Sequence, residues 1–118
     1  MAQKTVRIIQ ADLSKLPQAL DFIVASIQGS LKVRLIAEEA LTNIIRHGYK
    51  ESPGPIEIHC NGSSLQLIDY AVAFNQAAKP VTLDPEHNGL QLIHGLADHI
   101  TYQRHHDKNI LTITSSCN

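Results

Sequence analysis

The side chains best suited to chemistry in this sequence lie in one predicted helix, residues 31–47. Glu39 and Asn43 are four residues apart, which places them about 40° apart around a helix, and His47 lies about another 40° round. All three border an apolar stripe, so we expect them between core and solvent. A carboxylate there can act as a general base, and an amide oxygen can bind a metal ion. From spacing alone, however, a solvated Glu39 and an Asn43 that bonds a neighbouring loop is the more common outcome.

Two further polar groups lie at the ends of predicted elements. Asp69 ends the strand-like segment LQLID, so its carboxylate is offered where a sheet meets a loop. By itself such an aspartate is also typical of a turn or a cap. Asn88 and Gly89 come directly before a predicted short helix, whose first backbone N–H groups can bind phosphate. A single glycine there is weak support for a phosphate site.

Helices and strands must bring these groups together, and their order predicts the fold. The central helix has the strongest pattern, an apolar stripe at i, i+3, i+4 and i+7 that starts after Ser30 as N-cap and stops at Gly48 as C-cap. Another helix is predicted at 14–27, with Ser14 as its N-cap. Strands are predicted at 5–10, 55–60, 65–70, 99–105 and 109–114, with turns at 61–62 and 106–108, a long ordered loop or lid at 71–87 and a short helix at 90–97.

Helices and strands are partly segregated along the chain, which predicts an α+β fold. We expect a two-layer sandwich, with helices packed on one face of a mostly antiparallel mixed sheet. At 118 residues the chain has room for one core, so we expect a single domain, residues 1–118.

Charge and hydropathy argue against several function classes. The formal net charge of −1 gives no field for binding nucleic acid or an anionic membrane. No apolar run approaches the roughly 18 to 20 residues that a membrane span needs, and the first ten residues lack the order of a signal peptide. We therefore expect a cytoplasmic protein. Cys60 and Cys117 are expected to be reduced thiols, and the spacing of the seven histidines matches no recurrent metal site.

Three segments resemble, in order, the motifs of the histidine-kinase-like (GHKL) ATPase superfamily. They are EEALTNIIRHGY at 38–49, LIDYAVAF at 67–74 and NGLQLIHGLAD at 88–98. The first is highly specific, and the other two are weaker. The likeness covers roughly residues 31–114 and is greatest to the small anti-sigma-factor serine kinase branch, which implies a Bergerat-type ATP-binding fold.

The resemblance also implies roles for individual residues. Asn43 would hold Mg²⁺ against the phosphates of ATP, as a hard oxygen ligand for a hard ion. Glu39 would be the general base that takes a proton from a serine hydroxyl of a partner protein. Asp69 would accept a hydrogen bond from the adenine amino group. The remaining residues expected near the nucleotide are His47, Phe74, Asn88, Gly89 and Leu90. His47 also has an ordinary explanation, a cation that suits the end of a helix.

Two functions are compatible with this resemblance. The first is an ATP- and Mg²⁺-dependent serine/threonine protein kinase that holds a sigma factor and phosphorylates its small antagonist protein, with a homodimer also compatible. The second is a partner-switching adaptor of the same fold with a degenerate nucleotide site. An unrelated α+β domain with a chance match is the third and weakest interpretation.

The motifs themselves divide between the two functions. Retention of Glu39, Asn43, Asp69 and Phe74 favours the kinase. Loss of glycines favours the adaptor, since residues 69–73 read DYAVA where the family carries Asp-x-Gly-x-Gly, and His87 replaces the first glycine of Gly-x-Gly-Leu.

Overall fold

A computed structural model describes residues 4–27, 31–49, 53–71 and 99–114. The elements follow in chain order, and a 3₁₀ turn, Leu13–Lys15, precedes the first helix. They are β1 (Lys4–Gln10), α1 (Leu16–Ser26), α2 (Leu31–Asn43), a π-helical turn (Ile44–Gly48), β2 (Pro55–Asn61), β3 (Ser64–Asp69), β4 (His99–His105) and β5 (Lys108–Thr114).

The five strands form one sheet in the order β1-β2-β3-β5-β4, and every pairing in the described part of the chain is antiparallel. The turn after β2 forms one residue later than the predicted 61–62, with Gly62 and Ser63 between the paired residues Asn61 and Ser64. Gly62 has a φ of 63°, a left-handed conformation that glycine adopts without steric cost.

One buried apolar cluster joins both helices to one face of the sheet. Alternate residues of β2, β3 and β5 point into it, because successive side chains in a strand lie on opposite faces. From the sheet these include Ile56, Ile58, Leu67 and Leu111, and from the helices Ile23, Ile36 and Leu41. The predicted α+β sandwich is therefore confirmed, with the same strands and the same two long helices.

The start of the first helix differs from the prediction. The α-helical hydrogen bonds begin at Leu16 after the 3₁₀ turn. Asp12, rather than Ser14, provides the cap, since its carboxylate accepts a hydrogen bond of 2.9 Å from the Ser14 backbone N–H. These bonds to Ser14 hold the pKa of the Asp12 carboxyl below its usual value.

The end of the second helix also differs. The predicted helix 31–47 is an α-helix only to Asn43, after which a π-helical turn runs to Gly48 and the Tyr49 N–H donates to the Ile44 carbonyl over 3.0 Å. Gly62 is the described glycine with a positive φ, so Gly48 does not form the left-handed C-cap that glycine usually provides. The prediction of a glycine cap was wrong, and Gly48 is needed for a different reason given below.

Several predictions lie outside the described residues. These are Ser30, the lid beyond Ala71, the short helix at 90–97 and Cys117. Within the described ranges, Cys60 is a buried thiol, no group of three or more His, Cys, Asp or Glu side chains could hold a metal ion, and no helix is both long and apolar enough to span a membrane.

Candidate functional site

Tyr49 attaches the end of the second helix to the sheet. Its hydroxyl donates to the Pro55 carbonyl over 2.6 Å and accepts from the Tyr70 N–H over 2.8 Å. Pro55 begins β2 and Tyr70 follows β3, so one side chain joins three segments. Burial raises the pKa of the Tyr49 hydroxyl, and the charge of Asp69 acts in the same direction, which keeps the proton available for donation.

Gly48 allows the helix to come close to the residues that follow β3. An ideal Cβ at Gly48 would lie 3.0 Å from the Cβ of Ala71, closer than side chains tolerate without a shift. Ala71 is itself buried. The methyl group of Ala71 therefore lies toward the helix end, in the space that a side chain at position 48 would need. This contact explains how the chain accommodates alanine where the superfamily motif has its first glycine.

Asp69 is the buried carboxylate at the end of β3, with 4% of its surface exposed. Its Oδ1 accepts from the Ala71 N–H over 3.0 Å and from Nδ2 of Asn109 over 2.8 Å. Both bonds end on Oδ1, so Oδ2 has no protein donor among the described residues. Burial raises the pKa of the Asp69 carboxyl, opposed by the two hydrogen bonds and the charge of Arg104. A buried carboxylate with one unmatched oxygen is suited to accept a hydrogen bond from a ligand.

Asn109 lies directly beside Asp69 and is also buried. Strand register makes Asp69 the cross-strand partner of Asn109, and Asn109 the partner of Arg104. Oδ1 of Asn109 accepts from the Tyr102 hydroxyl over 2.5 Å and from Nη1 of Arg104 over 3.0 Å. Nη1 of Arg104 and Nδ2 of Asn109 also donate to the Ala71 carbonyl, over 2.8 Å and 3.2 Å.

We call Asp69, Asn109, Arg104 and Tyr102 the cross-strand polar row. These side chains fix the Asp69 carboxylate and the backbone carbonyl of Ala71.

The residue between Asp69 and Ala71 is held from the other side of the sheet. The Tyr70 hydroxyl donates to Oε2 of Glu57 over 2.5 Å, and Oε1 of Glu57 lies 3.1 Å from Nε2 of His59. The Tyr70 hydrogen bond, followed by that of His59, lowers the pKa of Glu57. The backbone that carries Asp69 is thus anchored on both faces of the sheet.

The comparison with protein families agrees with this arrangement. The sequence model of a family described as histidine kinase-like ATPase domain matches residues 4–115. The chain belongs to this family. No curated protein matches the chain significantly in sequence. The family match includes β1 and the first helix, and so extends beyond the segment of about 31–114 that the motifs alone suggested.

In this histidine kinase-like ATPase domain, the predicted site residues fall into three groups. Glu39 and Asn43 lie on the second helix, Glu39 partly exposed and Asn43 buried with 7% of its surface exposed. His47 lies in the π-helical turn and is partly exposed. Because an i→i+5 turn holds one more residue than an α-helical turn, the ideal wheel position predicted for His47 does not apply. Phe74, Asn88, Gly89 and Leu90 lie outside the described residues.

The described residues fit the ATP that this family implies. Asp69 offers an acceptor oxygen for an amino group, and Asn43 carries an amide oxygen, a ligand type that Mg²⁺ accepts. Tyr49 and the Gly48 contact join the helix that bears Asn43 to the end of the strand that bears Asp69. The π-helical turn between the two is itself a feature often found at functional sites.

Proposed function

We propose that this histidine kinase-like ATPase domain is an ATP- and Mg²⁺-dependent serine/threonine protein kinase that regulates a sigma factor by partner switching. The observation that carries the nucleotide part is the buried Asp69 carboxylate, held by Asn109 and the Ala71 N–H at the end of β3. The protein-kinase part is supported by Glu39 and Asn43, which occur in the helix motif that resembles the anti-sigma-factor kinases.

Each residue has a separate task in this proposal. Asp69 accepts a hydrogen bond from the amino group of adenine, and Asn43 supplies an oxygen to Mg²⁺. Glu39 is partly exposed, as a base that must meet a partner protein has to be, and takes the proton of a serine hydroxyl. The bound nucleotide supplies the phosphoryl group, with ADP as the second product. His47, Phe74, Asn88, Gly89 and Leu90 are proposed neighbours of the nucleotide.

The partners in this proposal are a sigma factor and its antagonist, with no direct role for nucleic acid or a membrane. The near-neutral charge of the chain agrees with protein partners rather than a polyanion. A homodimer and a cytoplasmic location are part of the same proposal.

The test is phosphotransfer by purified protein with radiolabelled ATP, Mg²⁺ and fractions of the small proteins of its native cells. We expect a labelled phosphoserine protein with the wild type. Glu39→Gln should lose at least 100-fold in rate, since a general base contributes about 10²- to 10⁴-fold, and should still bind ATP. The neighbouring carboxylate gives the control, because Glu38→Gln should change the rate less than about threefold, well below the range of a general base.

A partner-switching adaptor without catalysis is the second candidate. It is favoured by Ala71, Ala73 and His87, which replace motif glycines. The packing of Ala71 against Gly48 weakens this argument at one of those positions. The adaptor predicts partner capture without ATP, no labelled product and no effect of Glu39→Gln. Partner capture in the absence of ATP, with the partners left unlabelled when ATP is added, would therefore favour the adaptor over the kinase. A complex that forms only with ATP would count against the adaptor.

A further inference from the structure

Among the described residues, the β4–β5 hairpin hydrogen-bonds to the Asp69 carboxylate through one side-chain amide, that of Asn109. Asn109 is 3% exposed, and both ends of its side chain are engaged. Its oxygen accepts from Tyr102 and Arg104, and its nitrogen donates to Asp69 and to the Ala71 carbonyl. None of these three hairpin residues was expected from the motifs to contribute to the site.

We propose that Asn109 is the positioning residue that holds the Asp69 carboxylate for recognition of the nucleotide base, an inference that rests on the proposed binding of ATP. The hairpin is then part of the base site although Asn109 need not touch the nucleotide.

The orientation of the Asn109 amide is determined by its surroundings. An amide can be placed two ways round, and its hydrogen-bond partners decide which is correct. Tyr102 and Arg104 both donate, so the oxygen must face them. The nitrogen consequently faces Asp69 and donates to Oδ1.

This donation selects which carboxylate oxygen is left for a ligand. The terminal torsion of an aspartate is broad and roughly two-fold, so an unheld carboxylate could exchange its oxygens. Asn109 and the Ala71 N–H both engage Oδ1. Oδ2 is thereby kept in one direction before any ligand arrives, and preorganisation of this kind raises affinity. The hydrogen bond from Asn109 also lowers the pKa of Asp69 against the effect of burial, which favours the ionised, accepting form.

Two variants of Asn109 with nearly equal side-chain shape should differ in their affinity for ATP. Asn109→Val removes the polar group, whereas Asn109→Thr keeps a hydroxyl that can donate to Asp69 and accept from Arg104. Positions 69 and 109 are a direct cross-strand pair. The Cβ atoms of such a pair lie about 4.5 to 5.5 Å apart, so a threonine hydroxyl at position 109 can reach Asp69. We expect ATP affinity, measured by calorimetry, to fall about tenfold or more in Asn109→Val. In Asn109→Thr it should stay within about threefold of the wild type.

A control is available on the same strand. Thr112 accepts a cross-strand hydrogen bond of 3.2 Å from Gln66 on the opposite face of the sheet. Thr112→Val removes a comparable bond between β3 and β5 without touching Asp69. It should leave the affinity for ATP unchanged within about twofold.

A second readout needs no nucleotide. The pKa of the Asp69 carboxyl, followed by carbon-13 NMR in the free protein, should be higher in Asn109→Val than in the wild type and should return toward the wild-type value in Asn109→Thr. A merely structural role would not produce this rescue.

Each contrary result has a distinct meaning. Equal ATP affinity in Asn109→Val and wild type would overturn the inference. So would an equal loss in the valine and threonine variants, or an unchanged Asp69 pKa in Asn109→Val. If the wild type binds no ATP at all, the proposed function is wrong, and the role of Asn109 in base recognition, which depends on it, is wrong as well.

Discussion

Replacement of Asp69 by asparagine should weaken ATP binding without weakening the fold. Oδ1 accepts both hydrogen bonds that Asp69 makes, from Ala71 and Asn109, and an asparagine oxygen can accept the same two. Burial raises the pKa of the carboxyl, which means that the folded protein holds the charged form at a cost. The substitution removes that charge and keeps the shape.

The expected magnitudes differ for stability and for binding. The free energy of unfolding of Asp69→Asn at pH 7 should be at most about 1 kcal/mol below that of the wild type, and a higher value is also consistent with the removal of a buried charge. A loss of about 1 kcal/mol corresponds to a fall in Tm of roughly 4 °C. ATP affinity should fall further, because an amide nitrogen replaces the oxygen offered to the adenine amino group. Loss of a hydrogen bond to a charged group costs about 1.5 to 3 kcal/mol, or roughly 10- to 150-fold in Kd.

The dependence on pH follows from the direction of the shift. Because the pKa of Asp69 is higher in the folded than in the unfolded chain, the folded state binds more protons between the unfolded pKa, about 3.9, and the raised value. In that window the wild type gains stability as the pH falls, relative to a variant without this carboxyl. Any advantage of Asp69→Asn in stability should therefore be larger at pH 7 than at pH 4.5.

Urea unfolding at the two pH values and calorimetric titration with ATP would measure both effects. Asp107→Asn is the matched control, since Asp107 is exposed in the β4–β5 turn and should change neither quantity appreciably. Wild-type affinity for ATP in Asp69→Asn would refute the proposed contact with adenine. A loss of about 3 kcal/mol or more of stability, beyond the single-bond range, would refute the claim that asparagine preserves the fold.

Two other substitutions test how the helix end is joined to the strand. Gly48→Ala should destabilise the fold by about 1 to 3 kcal/mol, the range for overpacking, because its Cβ would meet that of Ala71. In an Ala71→Gly background the same substitution should cost clearly less, and additive losses in this double-mutant cycle would disprove the contact. Tyr49→Phe should lose about 1 to 3 kcal/mol in thermal or urea unfolding, since two hydrogen bonds of about 0.5 to 1.5 kcal/mol each disappear. An unchanged Tm would show that this hydroxyl does not hold the three segments together.

Periodicity was enough to predict the layers of the fold. Alternation in β2, where Ile56 and Ile58 are buried and Glu57 and His59 are not, gave the orientation of the sheet. The apolar stripe of the second helix likewise gave the buried face that contains Ile36 and Leu41. These patterns are local and repeat every two or about 3.6 residues, so a single sequence reveals them.

The end of the second helix could not be predicted in the same way. The π-helical turn has hydrogen bonds between residues i+5 and i, such as that from the Tyr49 N–H to the Ile44 carbonyl. No periodic pattern in the sequence marks such a turn. Its partner groups are tertiary, because Tyr49 is held by Pro55 and Tyr70 and Gly48 lies against Ala71. Only the fold shows that this glycine serves close approach rather than a left-handed cap.

The cross-strand polar row was missed because it joins residues 40 positions apart, Asp69 and Asn109. That contact depends on β5, rather than β4, lying beside β3, which hairpin rules do not decide. One signal was present in the sequence. Asn109 occupies an inward position of the alternating segment NILTIT, where an unpartnered polar side chain would be costly. The pairing of Asn109 with Arg104 was not part of that signal, because the turn contains two residues, 106–107, and not the predicted 106–108.

Calorimetric titration of ATP, with and without Mg²⁺, tests most directly whether this domain has a working nucleotide site. The account predicts Mg²⁺-dependent binding by the wild type and its loss in Asn43→Ala, with Asn61→Ala as an exposed control that binds normally. Circular dichroism would verify that each variant is folded. Absence of heat from the wild type at high concentrations of ATP and Mg²⁺, or normal binding by a folded Asn43→Ala, would contradict the account.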